Sequence, residues 1–118
     1  MVAISIPIFT SQLEKAREAT DAANLRSAYA VAAADVLDGD GDTGYSAGPV
    51  AMTQTTAGFA SSGLKDDSIG GVKLSTLTDA AKGVNYYVNV TKDGTVTITK
   101  DAATTGNTVV DPITGKTK

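Results

Sequence analysis

The sequence predicts an α+β fold, with one long N-terminal α-helix packed on a small antiparallel β-sheet. Three observations predict it. Residues 3–37 hold one proline, no glycine and no stop before Asp38-Gly39, whereas an average helix spans only about 11–12 residues. The stretch DGDGDTGYSAGPV then packs glycine and aspartate densely enough to end any helix. The last third alternates apolar and polar residues with a period of two. A chain of 118 residues organised this way is a single domain. It divides into a helix over 1–37, a connecting loop region over 38–71, and a sheet with a C-terminal loop over 72–118.

At 1.5 Å per residue the helix reaches roughly 50 Å, longer than the core of so short a chain can cover, so part of it is expected to belong to a partner. Its first half carries Glu14, Lys15, Arg17, Glu18 and Asp21. Glu14 with Arg17, and Arg17 with Asp21, stand at spacings where side chains meet on a helix surface. Phe9, Leu13, Ala16, Thr20 and Ala23 form a narrow seam, small beyond Leu13, with no evident partner within the chain. In the second half Leu25, Tyr29, Ala32 and Val36 line one side and Ala30, Ala33 and Leu37 the next. Together they predict a broad stripe lying on the sheet. Pro7 suits a first turn and kinks or breaks a helix interior.

Residues 38–71 read as loop, with Val50, Met52, Phe59, Leu64 and Ile69 as apolar pins. Structureless loops of this length are uncommon, which predicts short helical or strand pieces within it. Val84, Tyr86, Val88 and Val90 form one alternating strand and Val96 and Ile98 belong to the next. A two-residue Asp93-Gly94 turn would set conflicting faces opposite one another. A three-residue turn of Lys92, Asp93 and Gly94 pairs Val90 with Val96 and Val88 with Ile98, and gives Gly94 the left-handed position. Thr108, Val109 and Val110 predict a third strand ending at Pro112, and Val72 to Leu74 a short fourth. A helical turn is expected at Thr78 to Lys82, capped by Thr78 and stopped by Gly83.

Composition narrows function. There is no His, Cys or Trp, so the commonest general acid–base group and the thiol nucleophile are absent, and no serine has a histidine to activate it. The thirteen carboxylates form no recognisable catalytic motif, and the expectation is that the chain is not an enzyme. Net charge is −3 and the ten basic residues are spread without a cluster, which argues against direct nucleic-acid binding. Val2 to Phe9 is far shorter than the ~20 residues a spanning helix needs. Nor is it a signal peptide, having no charged start and no small-residue cleavage site.

Ala3-Ile4-Ser5-Ile6-Pro7-Ile8-Phe9, the polar run Thr10 to Ala19, and Asn24-Leu25-Arg26-Ser27-Ala28-Tyr29 resemble a type IV pilin. The Ile-Pro-x-Phe step entering a polar amphipathic run is similar to the end of that family's hydrophobic segment. The likeness covers about the first 37 residues in sequence and the remainder in outline. The family's cleaved basic leader, methylated N-terminal residue, early glutamate and long apolar helix are not in these residues. The chain therefore reads as starting partway through the apolar segment, a trimmed form with Met1 as an added start. With no Cys it cannot form the C-terminal disulfide of many Gram-negative members, which is similar to pilins of Gram-positive bacteria.

The resemblance implies a structural subunit of an extracellular filament, held in the membrane before assembly. Its implied partners are copies of itself, other pilins, membrane-embedded assembly machinery, a prepilin peptidase and a surface or host ligand. Adhesion, motility by retraction and DNA uptake are the roles the family supports. Ile4, Ile6, Ile8, Phe9 and Leu13 are the candidate contacts between subunits, and Pro7 would permit local melting of the helix.

Two alternatives stand beside it: a pseudopilin of a type II-like secretion or competence system, and a small calcium-dependent or carbohydrate-binding module. No cofactor is expected unless it is calcium. Asp38, Asp40 and Asp42 follow the alternating oxygen pattern of a calcium loop, but Thr43 and Pro49 stand where the helix–loop–helix version needs glycine and glutamate. Asn89-Val90-Thr91 matches a glycosylation sequon and is read as a strand segment. Tyr29 and Tyr86 are expected in the core, with Tyr87 on the opposite face.

Overall fold

The computed structural model describes residues 2–39, 44–61, 63–102 and 107–117, with side chains of the helix from Gln12 onward. Helix α1 spans Val2–Asp38 and its 37 residues set the long dimension of a molecule measuring 61 × 24 × 20 Å. The backbone stays helical through Pro7, so the amide missing there leaves the Ala3 carbonyl without its usual donor. At the other end the Gly39 N–H donates to the Asp35 carbonyl at 2.9 Å, closing the last turn.

The remaining elements are β1 (Tyr45–Ala51), β2 (Ser68–Ile69), β3 (Val72–Lys73), β4 (Asn85–Val90), β5 (Val96–Thr99) and β6 (Thr108–Val110), with short 3₁₀ turns at Leu64–Asp66 and Leu74–Thr76. The main sheet has the order β5-β4-β1-β6. Its β4–β5 hairpin keeps the expected register: Val90 faces Val96, Val88 faces Ile98, and Gly94 has φ +91°.

Three expectations are corrected. The sheet is mixed, because β6 runs parallel to β1. Because β4 is antiparallel to both β1 and β5, the strands β5, β1 and β6 all point the same way, and β5 and β6 lie on opposite edges of the sheet, so they are joined by a crossover and not a hairpin. The Val72 strand does not join this sheet; it pairs with β2 in a separate hairpin. The 3₁₀ helix forms at Leu74–Thr76, and Thr78 to Lys82 is a run of turns instead of a helical one.

The inner strand β1 comes from the region read as loop. Its sequence YSAGPVA contains Gly48 and Pro49, which mark turns in most contexts. Here the register against β4 shifts between Ala47 and Val50 and absorbs both residues. Gly48 is required by close approach: a Cβ there would lie 2.6 Å from the Tyr87 ring and 2.9 Å from the Tyr86 carbonyl oxygen.

The core lies between the sheet and the C-terminal half of α1. Ala22, Leu25, Ala28 and Ala32 meet Ala47, Val50, Tyr86, Val88, Val90, Ile98 and Val110. Alanine on the helix lets the backbone sit close to the sheet, and Leu25, fully buried, contributes about 1.5–3 kcal/mol. Beyond the sheet, Met52, Phe59, Ile69, Leu74, Leu77 and Ala80 extend the same cluster under the 52–80 segment. Four of the five expected pins are therefore buried, with Leu64 packed partly against them.

Candidate assembly face and the clamp that sets it

Which face of α1 turns outward is decided by a row of residues that turns inward. Glu14, Glu18, Asp21, Leu25, Ala28 and Ala32 are all buried and alternate spacings of four and three. Three members of this row are carboxylates, and each is met by donors from the 53–61 segment.

Asp21 accepts from the Thr53 N–H at 2.9 and 3.0 Å, the Thr53 hydroxyl at 2.8 Å, the Gln54 N–H at 3.0 Å and the Gln54 Nε2 at 2.9 Å. Glu14 accepts from the Thr55 N–H at 3.0 and 3.1 Å, the Thr55 hydroxyl at 2.6 Å and the Thr56 N–H at 2.8 Å. Glu18 accepts from the Ser61 N–H at 3.0 and 3.1 Å. The carboxylates thus do for this segment what a neighbouring strand does for a strand, because buried backbone donors must find acceptors.

Gln54 links the two ends of the segment. Its Oε1 accepts from the Phe59 N–H at 2.9 Å, and Phe59 is fully buried with φ +59°. That conformation is uncommon for a bulky residue and is held here by the hydrogen bond and by burial. Burial works to raise the Glu14 pKa, but the hydrogen bonds from Thr55, Thr56 and Arg17 outweigh it and hold the carboxyl below its ordinary value.

Spacing alone places these acids on the helix surface, with Arg17 between Glu14 and Asp21. The Glu14–Arg17 pair does form, at 3.5 Å. Asp21 instead turns to Thr53 and Gln54. A sequence signal existed: Glu14, Glu18 and Asp21 stand in the 4–3 register of Leu25, Ala28 and Ala32.

With that row inward, the opposite face is Leu13, Ala16, Thr20, Ala23, Ser27, Ala30, Ala34 and Leu37, and every one is exposed. The expected seam is therefore uncovered over Leu13 to Ala23, and it continues to the end of the helix. The expected sheet-facing stripe is corrected at Ala30 and Leu37, which point outward, Leu37 at 85% exposure. The spacing repeats 3–4, as any one face of an α-helix does, and between Leu13 and Leu37 the face is built of small residues, too poor in large apolar groups for a strong coiled coil.

Of the other candidate contacts, Val2, Ile6 and Phe9 continue this register by spacing, and Ile4 falls in the register of the inward row. The side chains of Ile4, Ile6, Pro7, Ile8 and Phe9 lie outside those described; Leu13 is 38% exposed. Among the described residues no helix is long and apolar enough to cross a membrane.

Of the calcium candidates, Asp38 is exposed at the end of α1, and Asp40 and Asp42 lie outside the described residues. Among the described residues no group of three or more potential ligands converges. Nearby, Asp35 Oδ2 is buried with no hydrogen-bond partner among the described residues, and burial, with Asp38 adding to it, raises its carboxyl above the ordinary range. The sequon asparagine is 2% exposed and its Nδ2 donates to the hydroxyls of Thr97 and Thr99 at 3.2 and 2.8 Å, so the folded strand does not offer it to a glycan. Tyr86 is in the core, Tyr29 packs partly against it, and Tyr87 covers Gly48 on the other face.

A second surface feature is a groove of ≈ 350 Å³ between α1, the end of β1 and the C-terminal turn, lined by Asn24, Ser27, Val31, Pro49, Val50, Ala51, Pro112 and Ile113. The turn is held by Asp111, whose Oδ1 accepts from the Ile113 and Thr114 N–H groups at 2.8 and 3.0 Å, and Ile113 is 84% exposed.

The fold defines a class: an α+β domain built on one long N-terminal helix and a small mixed sheet. No protein family, curated protein or solved structure matches the chain at a significant level.

Proposed function

We propose that this chain is the structural subunit of an extracellular filament of the type IV pilin kind, assembling through α1, with its sheet and loops on the filament surface. The observation that carries the proposal is the outward face of α1. It is uncovered along its whole described length, built of small residues at 3–4 spacing, and continuous in register with an apolar N-terminal end. A face like this on an isolated chain is explained by packing on other helices. Small residues allow helix axes to approach closely, and large apolar residues at the N-terminal end supply about 1.5–3 kcal/mol each when covered.

The family resemblance extends the proposal to its partners: other copies of the chain, other pilins, membrane-embedded assembly machinery and a prepilin peptidase acting on a membrane-held precursor. The test is immuno-electron microscopy of the source cells with antibody against residues 38–118. Filaments labelled along their length are the expected result. Label confined to tips makes the chain a minor subunit. Label at the envelope with no filament overturns the filament reading in favour of a pseudopilin.

A further inference from the structure

We infer that the groove between α1 and the C-terminal turn is the receiving half of a head-to-tail contact, and that its occupant is the N-terminal end of α1, residues 2–13, from a second copy of this chain. The inference rests on the filament reading and names the surface that the incoming helix meets.

The first argument is chemical match. Residues 1–13 contain no Asp, Glu, Lys or Arg, and include Val2, Ile4, Ile6, Ile8, Phe9 and Leu13. Among the described residues the groove is likewise lined without a charged one: Asn24 and Ser27 on the helix side, with Val31, Pro49, Val50, Ala51, Pro112 and Ile113 around them. At ≈ 350 Å³ it has room for a few large apolar side chains, the way a helix anchors in a groove through residues at i and i+3 or i+4.

The second argument is that the site is open and firm. Among the described residues β6 pairs β1 at Tyr45, Ser46 and Ala47, and the outer edge of β1 has no strand partner at Pro49 to Ala51. Pro49 carries no amide to satisfy there, which suits the edge to apolar contact better than to an added strand. The C-terminal turn closes one end. A Cβ on Gly115 would lie 3.3 Å from the Val31 side chain and from Asp35 Oδ2, so the turn sits against that stretch of the helix. Asn24 and Ser27, which line the groove, are exposed, and Ser27 also belongs to the outward face of α1.

The third argument is geometric and selects a second copy over the chain's own end. Phe9 precedes Asn24 by fifteen residues of one continuous helix, which places it about 22 Å away along the axis. A chain cannot insert that end into its own groove. Donor and receiver are different surfaces of the same chain, so the contact is heterologous. Such contacts propagate into helical arrays when the rotation does not close.

The test uses the absence of cysteine from the sequence. Single-cysteine chains Phe9→Cys, Ile113→Cys and Lys92→Cys are mixed in pairs at high concentration and oxidised gently. Lys92 is the exposed control in the β4–β5 turn. Mixed dimers of Phe9→Cys with Ile113→Cys are expected at least fivefold above those of Phe9→Cys with Lys92→Cys. In the cysteine-free chain, Ile113→Glu is expected to weaken self-association at least tenfold with an unchanged melting temperature, and Ala51→Glu to weaken it likewise. Equal cross-linking to the two sites overturns the inference, as does unchanged association in both variants. Labelled filaments on cells, with Phe9 cross-linking only to Phe9, leave the filament reading standing and overturn the groove.

Discussion

Replacing Asp21 by alanine removes the centre of the carboxylate clamp. In the wild type its two oxygens serve four donors: the Thr53 and Gln54 backbone N–H groups, the Thr53 hydroxyl and the Gln54 side-chain amide. Gln54 is fully buried, so water cannot replace the lost acceptor at its N–H or its Nε2 without opening the segment. A buried donor left unpaired costs about 1–3 kcal/mol. Two such donors, plus the half-buried Thr53 N–H, give about 3–5 kcal/mol, a large part of the 5–15 kcal/mol by which a domain is stable. Urea denaturation followed by tyrosine fluorescence and circular dichroism measures it. The exposed Arg26–Asp67 pair at 3.3 Å is the internal comparison: Asp67→Ala is expected to cost under about 1 kcal/mol. Asp21→Asn, which keeps one oxygen but turns a donor toward donors, is expected in between. If Asp21→Ala costs no more than Asp67→Ala, the carboxylate is not what holds the 53–61 segment on the helix.

Gly48→Ala is expected to destabilise by about 2–3 kcal/mol, because its Cβ would meet the Tyr87 ring and a backbone oxygen; thermal melting measures it. Glu14 sits below its ordinary value of 4.5, so the stability it supplies is present above that value and is lost as pH falls through its folded value. Glu14→Gln should therefore be less stable than wild type by about 1–2 kcal/mol at pH 7, with the two melting curves converging in acid. Asp35 has the opposite sign. Its carboxyl is raised above 3.8, so its favourable contribution holds below that value and is lost as pH rises through the folded one. Asp35→Asn should accordingly stabilise the fold by about 0.5–1 kcal/mol at pH 7, and the gain should shrink on titration toward pH 4. Ala23→Arg on the outward face should leave the melting temperature within about 2 °C while abolishing filaments in cells that carry it, as seen by electron microscopy.

The parts of the fold legible in the sequence are those whose reasons are local. The β4–β5 hairpin could be registered because a one-residue slip would turn Val88 and Val90 away from Ile98 and Val96. The extent of α1 could be read because nothing between Pro7 and Gly39 interrupts it. What the sequence hid are long-range choices. β1 was masked by Gly48 and Pro49, whose local meaning is a turn; its strand role depends on the Tyr87 ring and on an irregular pairing with β4. The parallel entry of β6 depends on a crossover that no residue in Thr108 to Val110 announces. The inward turn of Glu14, Glu18 and Asp21 was hidden because a carboxylate on a helix reads as solvated. Its burial is stable only through donors 32 to 43 residues away.

That inward turn also explains the outward one. A helix of 37 residues has more surface than this sheet covers, and the core alone, starting at Ala22, would fix only its second half. The clamp extends the same facing to Glu14 without using apolar residues, so the first half of α1 is held on the domain while its apolar content stays on the free side. Had Glu14, Glu18 and Asp21 been leucines, the helix would have carried apolar stripes on both faces, and either could have turned inward. Carboxylates matched to the Thr53–Ser61 donors admit one orientation only, because the other would leave those donors unpaired. On the filament reading proposed above, the face presented to neighbours is set by that choice, and the choice sits in polar residues outside the proposed interface itself.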